Sequence, residues 1–261
     1  MPGHDLDADL DLLVAAARAA GDIAMRFFKR DPKVWEKPDG SGPVTEADLA
    51  VNDMLHERLT AARPEYGWLS EETPDNADRL SAQRVFIIDP IDGTRAFLGG
   101  EVSFAHSLAI AEAGKVIAGA VSLPAMDLLY AAHAGSAAVL NGRDISVSGA
   151  NEAKDATVLT AKANMAEHHW AGGVPDVRRS FRPSLAYRLC LVAEGRFDAM
   201  LAFRPTWEWD IAAGALIAAR AGATVSDGAG RELHFNQPDP RTPGVIVAGS
   251  ALHAQLMSLR G

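Results

Sequence analysis

Leu10, Leu13, Val14, Ala17, Gly21, Ala24, Phe27 and Phe28 recur at the three- and four-residue intervals of one helical face, which predicts a helix near the start of the chain. Thr45 to about Ala62 predicts a second helix, with Thr45 and Asp48 spaced as a capping box and Pro64 just beyond its end. The pattern then turns strand-like. Apolar runs over 86–89, 104–110, 116–121 and 128–132, separated by turn signals such as Ala113-Gly114-Lys115, predict a meandering antiparallel sheet. After Ser148 strands and helices alternate: a strand over 157–161, a helix over about 185–194, a strand over 199–203, a helix over 210–221, and strands over 224–226 and 245–248. This order predicts an N-terminal α+β half over 1–150 and a smaller C-terminal α/β half over 151–261. The chain has no internal repeat and no low-complexity tract.

The run Val85-Phe86-Ile87-Ile88 reads as a short buried strand that delivers Asp89 to the rim of a sheet. Pro90 keeps Asp89 extended and is expected to end the strand, while Gly93 permits a tight reversal, so Asp89 and Asp92 should face one point. Glu71 and Glu72 add carboxylates from an earlier segment. Oxygen ligands clustered without lysine partners suit Mg²⁺ or Mn²⁺. If Asp92 or Gly93 opens a helix running through Phe97, its free N–H groups would hold a phosphate beside the metals. A further acid, Asp210, stands at the start of the 210–221 helix, which Gly222 ends.

Each residue also has a plainer reading. Asp-Gly is a common turn dipeptide, Glu71-Glu72 alone reads as solvated surface, Asp210 as an N-cap, and Asp48 as the capping-box partner of Thr45. Their combination is what points to a divalent-metal site.

Composition narrows the field. At 261 residues and 48% apolar, with 23 Gly and 14 Pro, the chain can bury a core in one large unit or two abutting halves. A formal net charge of −9, with no basic cluster beyond Arg178-Arg179, argues against binding a nucleic-acid polymer. The same charge would repel a phosphate monoester unless cations compensate it. Cys190 is the only cysteine, which excludes an intrachain disulfide, reads as an inert thiol in an apolar helical stretch, and fits a reducing, cytoplasmic setting. No apolar run reaches membrane-spanning length, and Asp5, Asp7, Asp9 and Asp11 do not form a secretion leader, so no membrane association is expected. There is no phosphate-binding Gly-Lys loop and no Gly-x-Ser-x-Gly elbow, and His168-His169 read as loop or surface residues without zinc spacing. Trp207 and Trp209 are expected to pack a helix onto the sheet, with stacking on a base as the alternative.

Taken together, Val44-Thr45-x-x-Asp48, Glu71-Glu72, Asp89-Pro90-Ile91-Asp92-Gly93-Thr94 and Trp209-Asp210 resemble, in order and spacing over nearly the whole chain, the inositol monophosphatase superfamily of Mg²⁺-dependent, lithium-sensitive phosphomonoesterases. The resemblance implies a layered αβαβα sandwich with the site in the cleft between the two halves. It implies that Glu71, Asp89 and the Ile91 carbonyl hold one metal, with Asp89 bridging to a second held by Asp92 and Asp210. Thr94 and Glu71 would orient the attacking water, and Glu71, Thr94 and Asp89 would be the catalytic residues. Asp48 would sit by a third, weaker metal position. Substrate contacts would come from Asp92, Asp210 and the Gly93 and Thr94 amides. The cofactor would be two or three Mg²⁺ ions, for which Mn²⁺ could substitute. The partner is a small phosphate ester, and a homodimer is the family expectation.

The substrate is less sharply drawn. Inositol-type enzymes place a glutamate seven positions before the Trp-Asp aspartate, where this chain has Phe203. Pro205-Thr206-Trp207-Glu208-Trp209-Asp210 and Leu191-Val192-Ala193-Glu194-Gly195 are similar to the bacterial 3′(2′),5′-bisphosphate nucleotidase branch. Ala96 in Thr94-Arg95-Ala96-Phe97 departs from that branch toward histidinol-phosphate phosphatases, and Arg182-Pro183-Ser184-Leu185 lacks the family's usual Gly-Ser pair. Arg182, Arg188 and Arg204 are candidates for a second phosphate or for solvated surface. Hydrolysis of 3′-phosphoadenosine 5′-phosphate or inositol 1-phosphate is the expected activity, with histidinol phosphate hydrolysis and non-catalytic metal and phosphate binding as the alternatives. Mere binding would not require both Glu71 and Thr94.

Overall fold

In the computed structural model, which describes residues 5–37, 40 and 42–260, Asp5 accepts a hydrogen bond from the Asp7 N–H and starts helix α1 (Leu6–Phe27). Its inward stripe is Leu13, Ala16, Ala17, Ala20 and Ala24, small residues that let the helix axis lie close to the sheet beneath. A hairpin of β1 (Val34–Glu36) and β2 (Pro43–Thr45) leads into α2 (Glu46–Ala62). The predicted capping box is present, with Thr45 Oγ1 accepting from the Ala47 and Asp48 N–H groups and Asp48 accepting from the Thr45 N–H.

The next strands are β3 (Gly67–Ser70), β4 (Arg84–Asp92), β5 (Ala105–Glu112), β6 (Lys115–Leu123), β7 (Leu128–His133), β8 (Val139–Leu140) and β9 (Arg143–Asp144), with the short helix α3 (Thr94–Leu98) between β4 and β5. They lie in chain order in one seven-stranded sheet. From β4 onward it is the expected antiparallel meander, whereas β3, which the sequence pattern did not single out, adds a parallel edge. The expected stop at Pro90 does not occur. Strand β4 continues to Asp92 through a register shift, and proline is tolerated there because such an irregularity leaves an N–H position outside the ladder.

The remaining elements are β10 (Thr157–Thr160), β11 (Arg178–Ser180), α4 (Leu185–Ala193), β12 (Ala199–Ala202), β13 (Thr206–Trp207), α5 (Glu208–Arg220), β14 (Ala223–Ser226), β15 (Arg241–Thr242), β16 (Val245–Gly249) and α6 (Ser250–Arg260). A five-stranded sheet has the order β11-β10-β12-β16-β14, with β16 antiparallel to both neighbours, and β13 pairs with β15 separately. Strand β11 and helix α6 were not expected from the sequence: β11 has only three residues, whereas in α6 Leu252, Leu256 and Leu259 do stand at helical spacing and were passed over.

The layers run α1 and α2, seven-stranded sheet, α4 and α5, five-stranded sheet, α6, which is the αβαβα order. Three cores fill the gaps. Leu55, Leu59, Phe86, Ile88 and Leu108 pack under α1 and α2. Leu69, Ile87, Val121, Leu189, Ile211 and Val247 fill the middle, and Val158, Leu201, Ile246 and Leu252 lie under α6. All nine residues of α4, Cys190 included, are buried, as expected of a helix sandwiched between two sheets. Among the described residues no helix is long and apolar enough to cross a membrane.

Two contacts fix where the site can form. Buried Asp9 of α1 pairs with Arg63 at 3.0 Å and Arg84 at 2.9 Å and accepts from the Tyr66 hydroxyl, tying α1 to the base of β4. Gly119 of β6 lets α5 lie directly on the seven-stranded sheet, because a Cβ there would stand 3.0 Å from Ala213 Cα and 3.2 Å from Ala213 O. Gly119→Ala is therefore expected to destabilise the fold by about 1–3 kcal/mol through overpacking against helix backbone that cannot yield. An unfolding midpoint equal to wild type in urea would show that α5 does not bear on this strand.

Candidate active site

Side chains alternate along a strand, so Asp89 and Asp92, three positions apart, would point to opposite faces of a regular β4. The register shift removes that conflict. Asp89 pairs with Ser107 and Asp92 with Ala105, so three steps on β4 are spanned by two on β5, and one extra residue turns both carboxylates to the same side. Buried His106 of β5 holds the distortion through a hydrogen bond from Nδ1 to the Pro90 carbonyl; burial pushes its pKa down to about 4, which keeps the ring neutral. Gly93 follows at φ +95°, the left-handed conformation in which glycine is least strained, and α3 begins at Thr94. The Gly93 and Thr94 N–H groups donate to no partner among the described residues.

Asp210 comes from the other half of the chain. It is not the N-cap of α5, which is Trp207; it lies in the first helical turn and accepts from the Trp207 backbone N–H, so one carboxylate oxygen is left for the cluster. Ser107, opposite Asp89 in the ladder, donates 2.9 Å to the Trp209 carbonyl and so sets the start of α5 against the bulge. Single oxygens of Asp89, Asp92 and Asp210 come within 4.8 Å of one another.

Helix α4 supplies a support with no sequence signal. Asp92 Oδ2 accepts from Ser184 Oγ at 2.7 Å and from the Ala186 N–H at 2.6 Å, placing the carboxylate on the N-terminus of α4. Burial nevertheless outweighs these bonds and raises the Asp92 pKa to about 6. The Asp89 and Asp210 carboxyls are pushed well above the usual carboxylate range, first by burial and then by the neighbouring acids, among them Glu71. Buried acids crowded together hold protons or a cation.

Glu71 follows β3, its N–H bound to the Ile88 carbonyl at 3.2 Å, and so stands beside Asp89. The expectation of a cluster without a lysine fails here. Lys37, at the end of the β1 strand and distant in sequence, sets Nζ 2.7 Å from Glu71 Oε1 and 2.8 Å from Glu72 Oε1. Glu72 is raised to about 7 by burial and by Glu71, against the pull of Lys37. Asp48 is buried at the start of α2, where Oδ2 accepts from Thr45 and Oδ1 lies 3.3 Å from Thr94 Oγ1; burial lifts its pKa to about 6. Thr94 Oγ1 is also 3.2 Å from the Ile91 carbonyl. Glu71, Asp89, Ile91, Asp92, Gly93, Thr94 and Asp210 line one cleft of about 600 Å³, and Glu72 and Asp48 stand behind Lys37 and Thr94.

This cluster fits a divalent cation. Asp89 Oδ1 is buried without a hydrogen-bond partner, and the donors around it are all oxygens, the set preferred by Mg²⁺.

The far wall of the cleft is basic and aromatic. Arg188 and Arg204 line it, with Phe181 and Pro183, whereas Arg182 turns to the Phe181 carbonyl and Phe203 packs on Trp170 and under Arg260. Trp207 and Trp209 stack on each other at 4.6 Å and 10°, and Arg241 lies 5.2 Å from the centroid of Trp207. Glu208 between them is fully buried and accepts from the Asn236 and Gln237 N–H groups, which fastens the 235–240 loop to the start of α5. Burial raises Glu208 to about 7. The only hint of this in the sequence is a glutamate set between two tryptophans.

A layered fold around a carboxylate cluster, with free backbone amides beside it, has the groups that metal-assisted phosphate chemistry uses. Residues 5–261 match the profile of the inositol monophosphatase family. The chain is 32% identical over 255 residues to an inositol-1-monophosphatase of Mesorhizobium japonicum, covering 92% of this chain and 91% of that one. It is 33% identical over 240 residues to the 3′(2′),5′-bisphosphate nucleotidase CysQ of Escherichia coli K12, covering 87% and 93%. The fold superposes on the IMPase of Thermotoga maritima with a TM-score of 0.84 at 28% identity, over 97% and 96% of the two chains. The chain belongs to the inositol monophosphatase family, whose members are phosphomonoester hydrolases typically dependent on Mg²⁺ and sensitive to lithium.

The raised carboxyls give a pH dependence whose sign is fixed. Asp48 and Asp92, near 6, and Glu72 and Glu208, near 7, bind protons more tightly folded than unfolded, so their contribution favours the folded state at low pH and is lost as the pH rises from near 4 through about 7. With a chelator present, the melting temperature is expected to fall between about pH 5 and about pH 8, and added Mg²⁺ should flatten that fall by binding the ionised form. A profile unaffected by Mg²⁺ would contradict a cation site in this cluster.

Proposed function

We propose that the chain hydrolyses a small phosphate monoester whose leaving group carries a second anion, of which 3′-phosphoadenosine 5′-phosphate is the best match. The observation that carries this is the pair Arg188 and Arg204 in the cleft wall. They lie close enough to the acids that Asp92 and Asp210 act on one and Asp210 on the other, yet neither forms a salt bridge among the described residues. Inositol 1-phosphate offers nothing to occupy both. Phe203, at the position where inositol-type enzymes carry a glutamate, faces Trp170 rather than the cleft.

In this reading residues 1–150 carry Glu71, Asp89, Ile91 and Asp92, and residues 151–261 supply Asp210 and the wall that meets the leaving group. Glu71, Asp89, the Ile91 carbonyl, Asp92 and Asp210 would hold Mg²⁺, with Asp48 supporting a weaker position. The chemistry the ions supply is compensation of phosphate charge and Lewis acidity toward its oxygens. Asp89 would be shared between the two groups of ligands. The attacking water donates one hydrogen bond to Glu71 and one to Thr94 Oγ1, whose own proton points to Ile91 or Asp48, leaving a lone pair for phosphorus. Glu71 takes the proton as the new P–O bond forms and the ester P–O bond breaks, the departing alkoxide takes a proton from solvent, and the Gly93 and Thr94 amides hold the phosphoryl oxygens. Arg188 and Arg204 fix the leaving group by its other anion.

The test is phosphate release with Mg²⁺ from 3′-phosphoadenosine 5′-phosphate, inositol 1-phosphate and histidinol phosphate in parallel. The bisphosphate should have the highest kcat/KM, and Arg204→Ala should raise its KM about tenfold while leaving inositol 1-phosphate unchanged. A preference for inositol 1-phosphate, or equal effects of Arg204→Ala on all three, would refute the second-anion reading. Separately, Asp89→Asn should lower activity at least about 100-fold and weaken Mn²⁺ binding measured by electron paramagnetic resonance; unchanged Mn²⁺ binding would sink the proposed ligand set.

A further inference from the structure

Three aromatic side chains line the cleft, and only one has a free face. Trp207 is covered by Trp209 on one side and by Arg241 on the other, and Trp209 is buried in the central core. Stacking of a base on this pair, the alternative the sequence allowed, has no face to use. Phe181, on the loop between β11 and α4, is 47% exposed although it is large and apolar. Its other face rests on the guanidinium carbon of Arg188, 4.2 Å from the ring centroid.

That guanidinium is itself a built feature. Arg188 is 8% exposed, and its Nε and Nη2 donate to the carbonyls of Arg182 and Pro183, so the group is locked in place by two hydrogen bonds and a ring. The Nη1 donors remain, on a residue that lines the cleft. Ring and cation form a rigid unit with one open aromatic face and one open edge of donors.

We propose that Phe181 is a specificity-determining residue, its open face stacking on the nucleobase of a nucleoside bisphosphate while Arg188 beneath it binds the second phosphate. The inference rests on the second-anion reading above and adds the planar base to it. Stacking on an exposed aromatic is worth about a tenfold factor for any base, because every base has a π-face. A guanidinium held under the ring adds to its attraction for a planar partner and leaves the phosphate-binding edge undisturbed.

The experiment compares kcat/KM for 3′-phosphoadenosine 5′-phosphate with that for ribose 3,5-bisphosphate, which keeps both phosphates and lacks the base, in wild type, Phe181→Leu and Phe181→Tyr. Wild type should prefer the nucleotide about tenfold through KM, Phe181→Leu should abolish the preference, and Phe181→Tyr should keep it. Equal loss on both substrates, or no loss on either, would overturn the platform and leave the second-anion reading standing. If wild type turns over neither bisphosphate faster than inositol 1-phosphate, the second-anion reading has failed by itself, and inhibition of inositol 1-phosphate turnover decides the platform. Adenosine 5′-phosphate must then inhibit wild type more strongly than ribose 5-phosphate does, and lose that advantage in Phe181→Leu; otherwise the platform is refuted. A change in molecular mass by light scattering in Phe181→Leu would also refute it, since the ring would then be buried between copies.

Discussion

The repulsion among Glu71, Asp89, Asp92 and Asp210 is the constraint around which the molecule is organised. The carboxyls of Asp89, Asp92 and Asp210, crowded and desolvated, cannot all be ionised without a compensating charge, and each local oddity of the site serves to hold them there regardless. The β4 bulge puts Asp89 and Asp92 on one side. The N-terminus of α4 accepts Asp92, Ser107 fixes the start of α5, and Gly119 lets that helix come down onto the sheet with Asp210 at its tip.

What could be read from the sequence divides along the range of the interaction involved. The capping box at Thr45 and Asp48, the buried run ending in Asp89 and the glycine after α5 are each written within a few residues, and each is found where the pattern puts it. That Asp89 and Asp92 face one point was expected from Pro90 and Gly93, although the means is a bulge within β4 rather than an end to the strand; the place of Asp210 beside them was legible only through the family resemblance. Lys37 against Glu71, Ser184 against Asp92 and Ser107 against Trp209 join residues tens of positions apart, and no local pattern encodes them. The same is true of Pro90. Its effect depends on whether the neighbouring strand needs an N–H at that point, and β5 does not.

The two walls of the cleft show how one framework serves many esters. The acidic wall is assembled from backbone distortions and buried side chains that leave little room for change. The opposite wall combines the loop-borne groups Phe181, Pro183 and Arg204 with Arg188, which is buried on α4. The sequence relatives are named for different phosphates, so membership of the family does not by itself fix the ester.

Lys37 gives the acid cluster a counterion that travels with the chain. Its ammonium spans Glu71 and Glu72 at 2.7 and 2.8 Å, so one positive charge offsets part of the charge of the outer pair of acids. If Glu71 ligates a divalent ion as proposed, that ion would compete with a tethered monovalent one for the same carboxylate. Ion entry would then be an exchange, and Lys37 would be the group that reoccupies the acids when the ion leaves.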